Sequence, residues 1–306
     1  MRPSLLYNKS IVLDDLLTEQ SHSASRDIDA LPTPEILAVL NAADMEVAAA
    51  VALEIPRIAV AVDAIVGSIE MGGHLFYIGA GTSGRLGVLD AAECPPTFNV
   101  PPDLVRAIIA GGAPAMTRST EAAEDDPESG ARDLLEAGFA PGDVVVGIAA
   151  SGRTPYVLGA VKKAREMGGI TCGISCTLDS ELSRVVEYPM EPKPGPEVLT
   201  GSTRMRAGTA TKLVLNMIST AAMIRLGHVY GNWMVNVQPT NEKLRARARR
   251  IIQQAAGVNP ERATELLDAA GGSVRTAIVM HNKSVSHGQA VQLLAQSRGR
   301  IREALK

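Results

Sequence analysis

The sequence predicts an α/β fold in which a five-stranded parallel sheet lies between two layers of helices. Short, continuously apolar runs alternate with helix-like segments through the middle of the chain, which is typical of parallel strands buried on both faces. The 306 residues suffice for one large domain with a small appendix. Hydrophobic residues make up 46% of the chain and charged residues 21%, as in a globular protein with a substantial core.

The five apolar runs are the predicted strands, at residues 75–79, 104–109, 144–149, 170–175 and 185–188. Helices are expected around them at 84–93, 115–123, 127–137, 154–168 and 179–184. An Ala- and Val-rich helical stretch at 34–71, broken near Pro56, precedes the first strand. The start of this stretch has a clear sequence signal, because Thr33 is a good N-cap residue and Pro34 occupies the first helical position, where proline is favoured.

Helices also follow the predicted sheet, two of them long, at 204–227 and 240–256. Three short helical patterns come next, at 260–270, 273–282 and 286–297. Helices of this length are not stable alone, so we expect these three to pack together as a bundle. The prediction is therefore a polar N-terminal arm at 1–33, a sheet domain at 34–257 and a small three-helix bundle at 258–306.

Composition argues against several classes of protein. The formal net charge of −3 is unsuited to binding nucleic acid or an acidic membrane. No apolar segment is long enough for a signal peptide or a membrane span, which needs about 20 residues. Cys94, Cys172 and Cys176 fit reduced thiols in a cytoplasmic protein. Cys172 and Cys176 lack the further ligands of a zinc site, so we expect buried small side chains and no metal.

Two glycine-and-hydroxyl turns, Gly79–Arg85 and Ala149–Thr154, each follow a predicted strand and open a helix. The unpaired N–H groups and hydroxyls at a helix N-terminus suit an anion, so the pair predicts a phosphorylated small molecule at the strand ends. The alternative is that the hydroxyls are ordinary helix caps. The candidate ligands are Thr82, Ser83, Gly84 and Arg85 from the first turn and Ser151, Gly152, Arg153 and Thr154 from the second.

A third hydroxyl-rich segment, Thr200–Arg206, precedes a long helix in the same way and adds Ser202 and Thr203 as candidate ligands. Its alternative is a capped helix with surface arginines. The first turn also matches the G-x-G-x-x-G pattern of dinucleotide sites. No acidic residue at a strand end follows about 20 residues on, which argues against a dinucleotide.

Two glutamates are candidate acid–base groups. Glu93 precedes Pro95 and Pro96, which we expect to end its helix. The negative end of the helix dipole disfavours an ionised carboxylate there, which suits an acid. Glu124 lies just before a helix that opens at Pro127, where the ion is favoured, as suits a base. Chemistry alone does not rank these two above surface glutamates or above their neighbours Asp90, Glu121, Asp125 and Asp126.

The two hydroxyl turns resemble those of sugar isomerase (SIS) domains, which bind phosphosugars at the strand ends of a five-stranded parallel sheet. Longer segments are similar to the N-acetylmuramic acid 6-phosphate etherase family. These are Gly79–Gly87, Asp90–Thr97, Ala123–Asp125, Val144–Tyr156, Gly201–Met205 and Thr240–Leu244.

The resemblance implies an SIS-type three-layer sandwich and a C-terminal bundle like a ubiquitin-associated fold. It implies removal of D-lactate from N-acetylmuramic acid 6-phosphate by elimination and water addition, with N-acetylglucosamine 6-phosphate as the other product. Glu93 matches the family's proton donor and Glu124 its second catalytic residue. The resemblance also implies a homodimer with its site near the subunit interface; no cofactor is expected.

Three other functions compete with this interpretation. A non-catalytic phosphosugar sensor of the glucokinase-regulator type keeps the turns, but usually carries two SIS domains, and this chain has room for one. An SIS transcription regulator would need a helix-turn-helix that residues 1–33 do not show. An aldose–ketose isomerase would move a proton between neighbouring carbons. Release of D-lactate from the phosphosugar distinguishes the etherase from all three.

Overall fold

A five-stranded parallel sheet forms the centre of the computed structural model, which describes residues 17–118 and 123–306. Its strand order is β2-β1-β3-β4-β5, and every neighbouring pair is parallel. The predicted α/β fold is therefore confirmed. The strands are β1 Leu75–Gly79, β2 Val105–Ile109, β3 Val144–Ile148, β4 Ile170–Ile174 and β5 Tyr188–Met190.

Helices cover both faces of the sheet. In β1, Leu75 and Tyr77 are buried in one core, and Phe76 and Ile78 in the other, because side chains alternate along a strand. One layer contains α1 Thr33–Met45, α2 Val47–Ala52, α3 Ile55–Glu70, α4 Gly81–Phe98 and α8 Arg206–Arg225. The opposite layer contains α5 Pro127–Glu136, α6 Pro155–Glu166 and α7 Glu181–Val185.

The C-terminal part of the chain is a helical unit preceded by a short antiparallel hairpin. Ile252 of α9 is buried in one core with Leu266 and Ile278, so α9 packs with the helices that follow it. The boundary near residue 257 remains a prediction. The elements are β6 Val229–Tyr230, β7 Trp233–Met234, α9 Glu242–Ala256, α10 Pro260–Ala269, α11 Val274–Lys283, α12 His287–Gln296 and α13 Ile301–Ala304.

Three predicted elements differ from the structure. The stretch 34–71 is three helices, with breaks at Glu46 and at 53–54. The fifth strand lies at 188–190 rather than 185–188, because the Ser180 hydroxyl accepts the Ser183 N–H and starts a helical turn that runs to Val185. In the expected helix 115–123, Ala113–Met116 is a 3₁₀ turn, and 119–122 lies outside the described residues.

The prediction that Pro95 and Pro96 end α4 is wrong. The helix continues to Phe98 with both prolines inside it, although neither can donate a helical hydrogen bond. It ends at Asn99, whose backbone is left-handed (φ 52°) and whose N–H donates to the Pro95 carbonyl at 2.8 Å. Glu93 is therefore more than one turn from the helix end, and the dipole argument for its acidity is lost.

The described part of the N-terminal arm packs against the segment that precedes α8. The Ser25 hydroxyl donates to the Val198 carbonyl at 2.7 Å, and the Gly201 N–H donates to the Thr18 carbonyl at 3.0 Å. Within 17–118 and 123–306, no single helix has the length and apolarity to span a membrane. The pair Thr33–Ala52 and Ile55–Glu70 meets both criteria together but is bent by 60°.

Candidate active site

The first two turns leave the sheet side by side. β1 and β3 are neighbours, with Gly79 opposite Ile148, so Ala80 and Ala149 start adjacent turns about 4.8 Å apart. From β1 the chain crosses to β2 on one side, and from β3 it crosses to β4 on the other. Ligands of open parallel sheets bind in the crevice at such a switch point. The two turns that carry the sequence-predicted ligands therefore begin side by side at one edge of the sheet.

The first turn presents the amides of α4 without a cap. Ala80 is the N-cap residue, and its methyl side chain cannot accept a hydrogen bond from the amides of the first helical turn. Thr82 and Ser83 lie within the first helical turn and are half-buried, so their hydroxyls are not caps. Gly84 is needed for packing, since a Cβ there would lie 2.7 Å from the Gly79 carbonyl oxygen. Uncapped amides beside two hydroxyls suit a phosphate.

The second turn offers hydroxyls more than amides. Thr154 is the N-cap of α6 and makes no side-chain capping bond among the described residues. The next residue is Pro155, and the Tyr156 N–H already donates to the Glu124 carbonyl at 3.0 Å. The Arg153 N–H contacts the Ser151 hydroxyl at 3.3 Å. Ser151 and Thr154 therefore complement the amides of α4 with hydroxyl groups.

The third segment differs from the other two, because the end of α8 already holds a carboxylate. Glu197 is buried and accepts the backbone N–H groups of Arg206 and Ala207 at 2.8 and 2.9 Å. Burial raises the pKa of the Glu197 carboxyl, while these bonds oppose the rise. Ser202 and Thr203 remain predicted ligands, whereas the helix end itself is occupied.

This third segment nevertheless lies beside the first turn. Gly208 of α8 connects them: a Cβ there would be 3.6 Å from the Thr82 methyl and 3.5 Å from the Thr203 carbonyl oxygen. The Arg206 side chain points away from the first turn. Its buried guanidinium donates to the Glu46 carboxylate at 2.6 Å and to the Pro196 carbonyl at 3.1 Å. The backbone of the third segment thus lies beside the first turn, on the far side of Gly208.

Arg85, a predicted ligand, binds backbone carbonyls instead. Its Nε donates to Ala115 at 2.9 Å and more weakly to Met116 at 3.3 Å. Its Nη2 donates to the Arg118 carbonyl at 3.0 Å. These carbonyls belong to the segment that follows β2 and leads towards Glu124.

Glu124 lies beside the first turn and is half-buried. A Cβ built on Gly81 would be 3.3 Å from its Oε1 atom, so the carboxylate lies beside the N-terminus of α4. The expected partner, α5, is instead capped by Asp126, which accepts from Glu128 and Ser129 at 2.9 and 3.1 Å. The positive helix end nearest to Glu124 is therefore that of α4.

Glu93 is not brought to Glu124 within one chain. It is exposed and lies twelve residues beyond Gly81 on α4, about 18 Å along the helix axis. Thr82, Leu89 and Glu93 share one face of α4, because residues seven and eleven apart are stacked on a helix. Glu93 is thus too far from Glu124 of the same chain for the two carboxyl groups to act on neighbouring carbon atoms.

Sequence reasoning missed a buried polar cluster beneath Glu93. Asp90 accepts the hydroxyls of Tyr77 at 3.0 Å and Ser219 at 3.1 Å. Burial raises the pKa of Asp90, although both hydrogen bonds act against the rise. The cluster joins β1, α4 and α8. Only the sequence position of Asp90, one turn before Glu93, hinted at it.

The switch-point crevice with its hydroxyl turns is the arrangement of an SIS domain. Residues 57–165 match the profile of the glucokinase regulatory protein N-terminal SIS domain. The solved phosphoheptose isomerase from Neisseria gonorrhoeae aligns with 62% of this chain and 97% of its own, at 17% identity and a TM-score of 0.47.

Two curated relatives are similar over nearly the whole chain. The N-acetylmuramic acid 6-phosphate etherase of Rhodopirellula baltica is 50% identical over 96% of this chain and 97% of its own length. That of Streptomyces avermitilis is 51% identical over 96% of this chain and 94% of its own. The chain belongs to the N-acetylmuramic acid 6-phosphate etherase family.

Proposed function

We propose that this chain cleaves the D-lactyl ether of N-acetylmuramic acid 6-phosphate, giving N-acetylglucosamine 6-phosphate and D-lactate. The observation that carries the proposal is its likeness, at 50 and 51% identity over 96% of the chain, to proteins named for this activity. The same likeness favours an etherase over a sensor, although the matching SIS profile is that of a regulatory protein. The three buried, unbridged cysteines suit a reducing compartment, and we place the reaction in the cytoplasm.

The phosphate would bind where the uncapped end of α4 meets the second turn. The α4 amides and the hydroxyls of Thr82 and Ser83 face the anion from one side. The hydroxyls of Ser151 and Thr154 face it from the other. A phosphate accepts many hydrogen bonds, so amides and hydroxyls satisfy it without a fixed counter-charge. Anchored there, the sugar places its reacting carbons at a defined distance from the crevice.

The reaction requires a base at carbon 2 and an acid at the ether oxygen. In the open-chain sugar, the aldehyde acidifies the carbon 2 proton, and the lactyl ether on carbon 3 is β to that carbonyl. Glu124 removes the proton while Glu93 protonates the departing lactate, and a double bond forms between carbons 2 and 3. Glu93 then takes a proton from water that adds at carbon 3, and Glu124 returns its proton to carbon 2.

We infer that the acid comes from a second copy of the chain. Carbons 2 and 3 are adjacent, whereas Glu93 lies about 18 Å along α4 from the end that borders Glu124. The outer surface of the layer that carries Glu93 is rich in exposed apolar side chains, which a homodimer would bury. They are Leu37, Met45, Leu53, Ile55, Val60, Leu89, Met217 and Ile224.

Replacing either glutamate by glutamine tests the proposal. We expect E93Q and E124Q to release D-lactate about 10²–10⁴-fold more slowly than the wild type, as for loss of one acid–base group. The measurement is free D-lactate from N-acetylmuramic acid 6-phosphate, with circular dichroism to confirm folding. The exposed Glu128, beside the α5 cap, provides the control E128Q, which should keep full activity. Near wild-type turnover in E93Q or E124Q would remove that glutamate from the mechanism, and a wild type that releases no lactate would refute the function.

A further inference from the structure

We propose that Arg85 is a positioning residue for Glu124 rather than a ligand of the phosphate. The proposal rests on the proposed function in assigning Glu124 the task of base. What Arg85 itself does follows from contacts that involve no substrate.

The Arg85 guanidinium binds the segment between β2 and Glu124. Its Nε and Nη2 groups donate to the carbonyls of Ala115, Met116 and Arg118, at 2.9, 3.3 and 3.0 Å. A guanidinium presents its N–H groups in a fixed planar fork, so it can hold two points of a backbone at once. The 3₁₀ turn Ala113–Met116 and the residues after it are thereby attached to α4.

The backbone of Glu124 itself is hydrogen-bonded to α6. The Glu124 carbonyl accepts the Tyr156 N–H of α6 at 3.0 Å. The carboxylate itself lies against the first residue of α4, with only 3.3 Å between Oε1 and a Cβ built on Gly81. Glu124 is therefore placed by contacts to two helices, and Arg85 anchors residues 115–118, which precede it in the chain.

The direction of the side chain argues against a phosphate ligand. Residues 113–118 follow β2, which lies on one side of β1, whereas the second turn follows β3 on the other side. The guanidinium thus points away from the crevice between the two turns. Arg85 is also the fifth residue of α4, beyond the first-turn amides that suit the phosphate.

The substitution R85K tests this role, since a lysine keeps the charge but has no planar fork. We expect kcat for D-lactate release to fall at least about 10-fold, because small misplacements of a catalytic group are costly. The affinity for the product N-acetylglucosamine 6-phosphate, measured by calorimetry, should stay within about twofold of the wild type. Hydrogen exchange at 113–118 should rise, and R85K should slow an E124Q enzyme no further.

The matched control is R106K. Arg106 also holds backbone carbonyls, those of Asp103 and Ala137 at 3.0 and 2.7 Å, but away from Glu124. It should affect stability without lowering kcat. If R85K weakens product binding about 10-fold or more, Arg85 is a phosphate ligand and the proposal is wrong. The same holds if R85K slows E124Q as strongly as it slows the wild type.

Two further measurements show whether a loss of activity comes from misfolding of the variant, from an incorrect proposed function or from an incorrect role for Arg85. R85Q retains a planar amide donor, so its kcat should exceed that of R85A at equal melting temperature; equal values would contradict positioning. If the wild type releases no lactate, the proposed function fails. In that case increased exchange at 113–118 in R85K, with unchanged product binding, still supports the contact, and unchanged exchange refutes it.

Discussion

At the scale of single residues, Gly152 shapes the second turn of the crevice. Its backbone is left-handed, with φ at 66°, and a Cβ there would lie 2.4 Å from the Ser180 Oγ atom. Its carbonyl also accepts the Leu182 N–H of α7 at 2.9 Å. The turn that carries Ser151 and Thr154 therefore depends on the one residue type that fits both the conformation and the space.

We expect G152A to weaken phosphosugar binding as well as stability. The left-handed backbone alone costs an alanine about 1–2 kcal/mol, and the contact with Ser180 adds to it. G142A is the matched control, since Gly142 has φ of 91° but open space around a Cβ. Urea unfolding and calorimetry with N-acetylglucosamine 6-phosphate measure the two effects. If G142A and G152A lose equal stability and equal affinity for the product, the role given to this turn is wrong. The same conclusion follows if folded G152A binds the product as the wild type does.

At the scale of elements, the contact between α4, β1 and α8 centres on a buried carboxyl group. Asp90 is 6% exposed and accepts hydroxyls from both neighbouring elements. Burial raises the pKa of Asp90 above its ordinary value of 3.8. Folded protein therefore keeps this proton at pH values where the unfolded chain has lost it. Stability from this group is complete below the ordinary value and declines as the pH rises through the higher one.

The variants D90N and D90A test this junction. D90A leaves the Tyr77 hydroxyl buried without its acceptor, which should lower the free energy of unfolding by about 1–3 kcal/mol. D90N retains an acceptor and loses the titration. The stability of the wild type relative to D90N should therefore fall as the pH rises from about 4, as followed by urea unfolding. A difference that is constant with pH would show that Asp90 does not titrate in this way.

At the scale of the whole molecule, the two helical layers have different outer surfaces. The layer with α1–α4 and α8 exposes large apolar side chains, among them Met45 and Leu53 at 74% and 81%. Glu93 lies on the same layer, far from the crevice of its own chain. Our proposal requires a homodimer that buries this surface and places the partner's Glu93 at the crevice, with residues of both subunits in each site.

Mixing inactive variants tests such sharing. If Glu93 and Glu124 of one site come from different subunits, a dimer of one E93Q and one E124Q subunit has one intact site. Random reassociation of equal amounts should then restore about a quarter of the wild-type lactate release. If one chain supplies both glutamates, every site stays damaged and nothing is restored. Light scattering on the L53D variant, expected to be monomeric, checks that the apolar surface forms the contact.

The strands and most helices were predictable because their signals are local. Continuous apolar runs such as 144–148 indicate buried parallel strands, and glycine–hydroxyl turns directly after them indicate a crevice at the strand ends. The errors arose where a packed environment or another local signal overrode the rule that was applied. Pro95 and Pro96 remain helical, and Val185 belongs to a helix capped by Ser180.

The same distinction holds for the site. Thr82, Ser83, Ser151 and Thr154 could be predicted as ligands because hydroxyls after a strand are a sequence pattern. The sequence did not show which of the predicted ligands already bind other parts of the protein, since those partners lie far away in the chain. Glu197 occupies the end of α8, and Arg85 is engaged with residues 115–118.

The sequence by itself determined the layered parallel sheet, the two glycine-and-hydroxyl turns and the family resemblance, because periodicity and turn chemistry act over a few neighbouring residues. Only the tertiary structure decided that the turns begin side by side, that Glu124 lies at the end of α4, and that Glu93 is about 18 Å along that helix. These facts depend on strand order and helix packing, in which residues distant in sequence become neighbours.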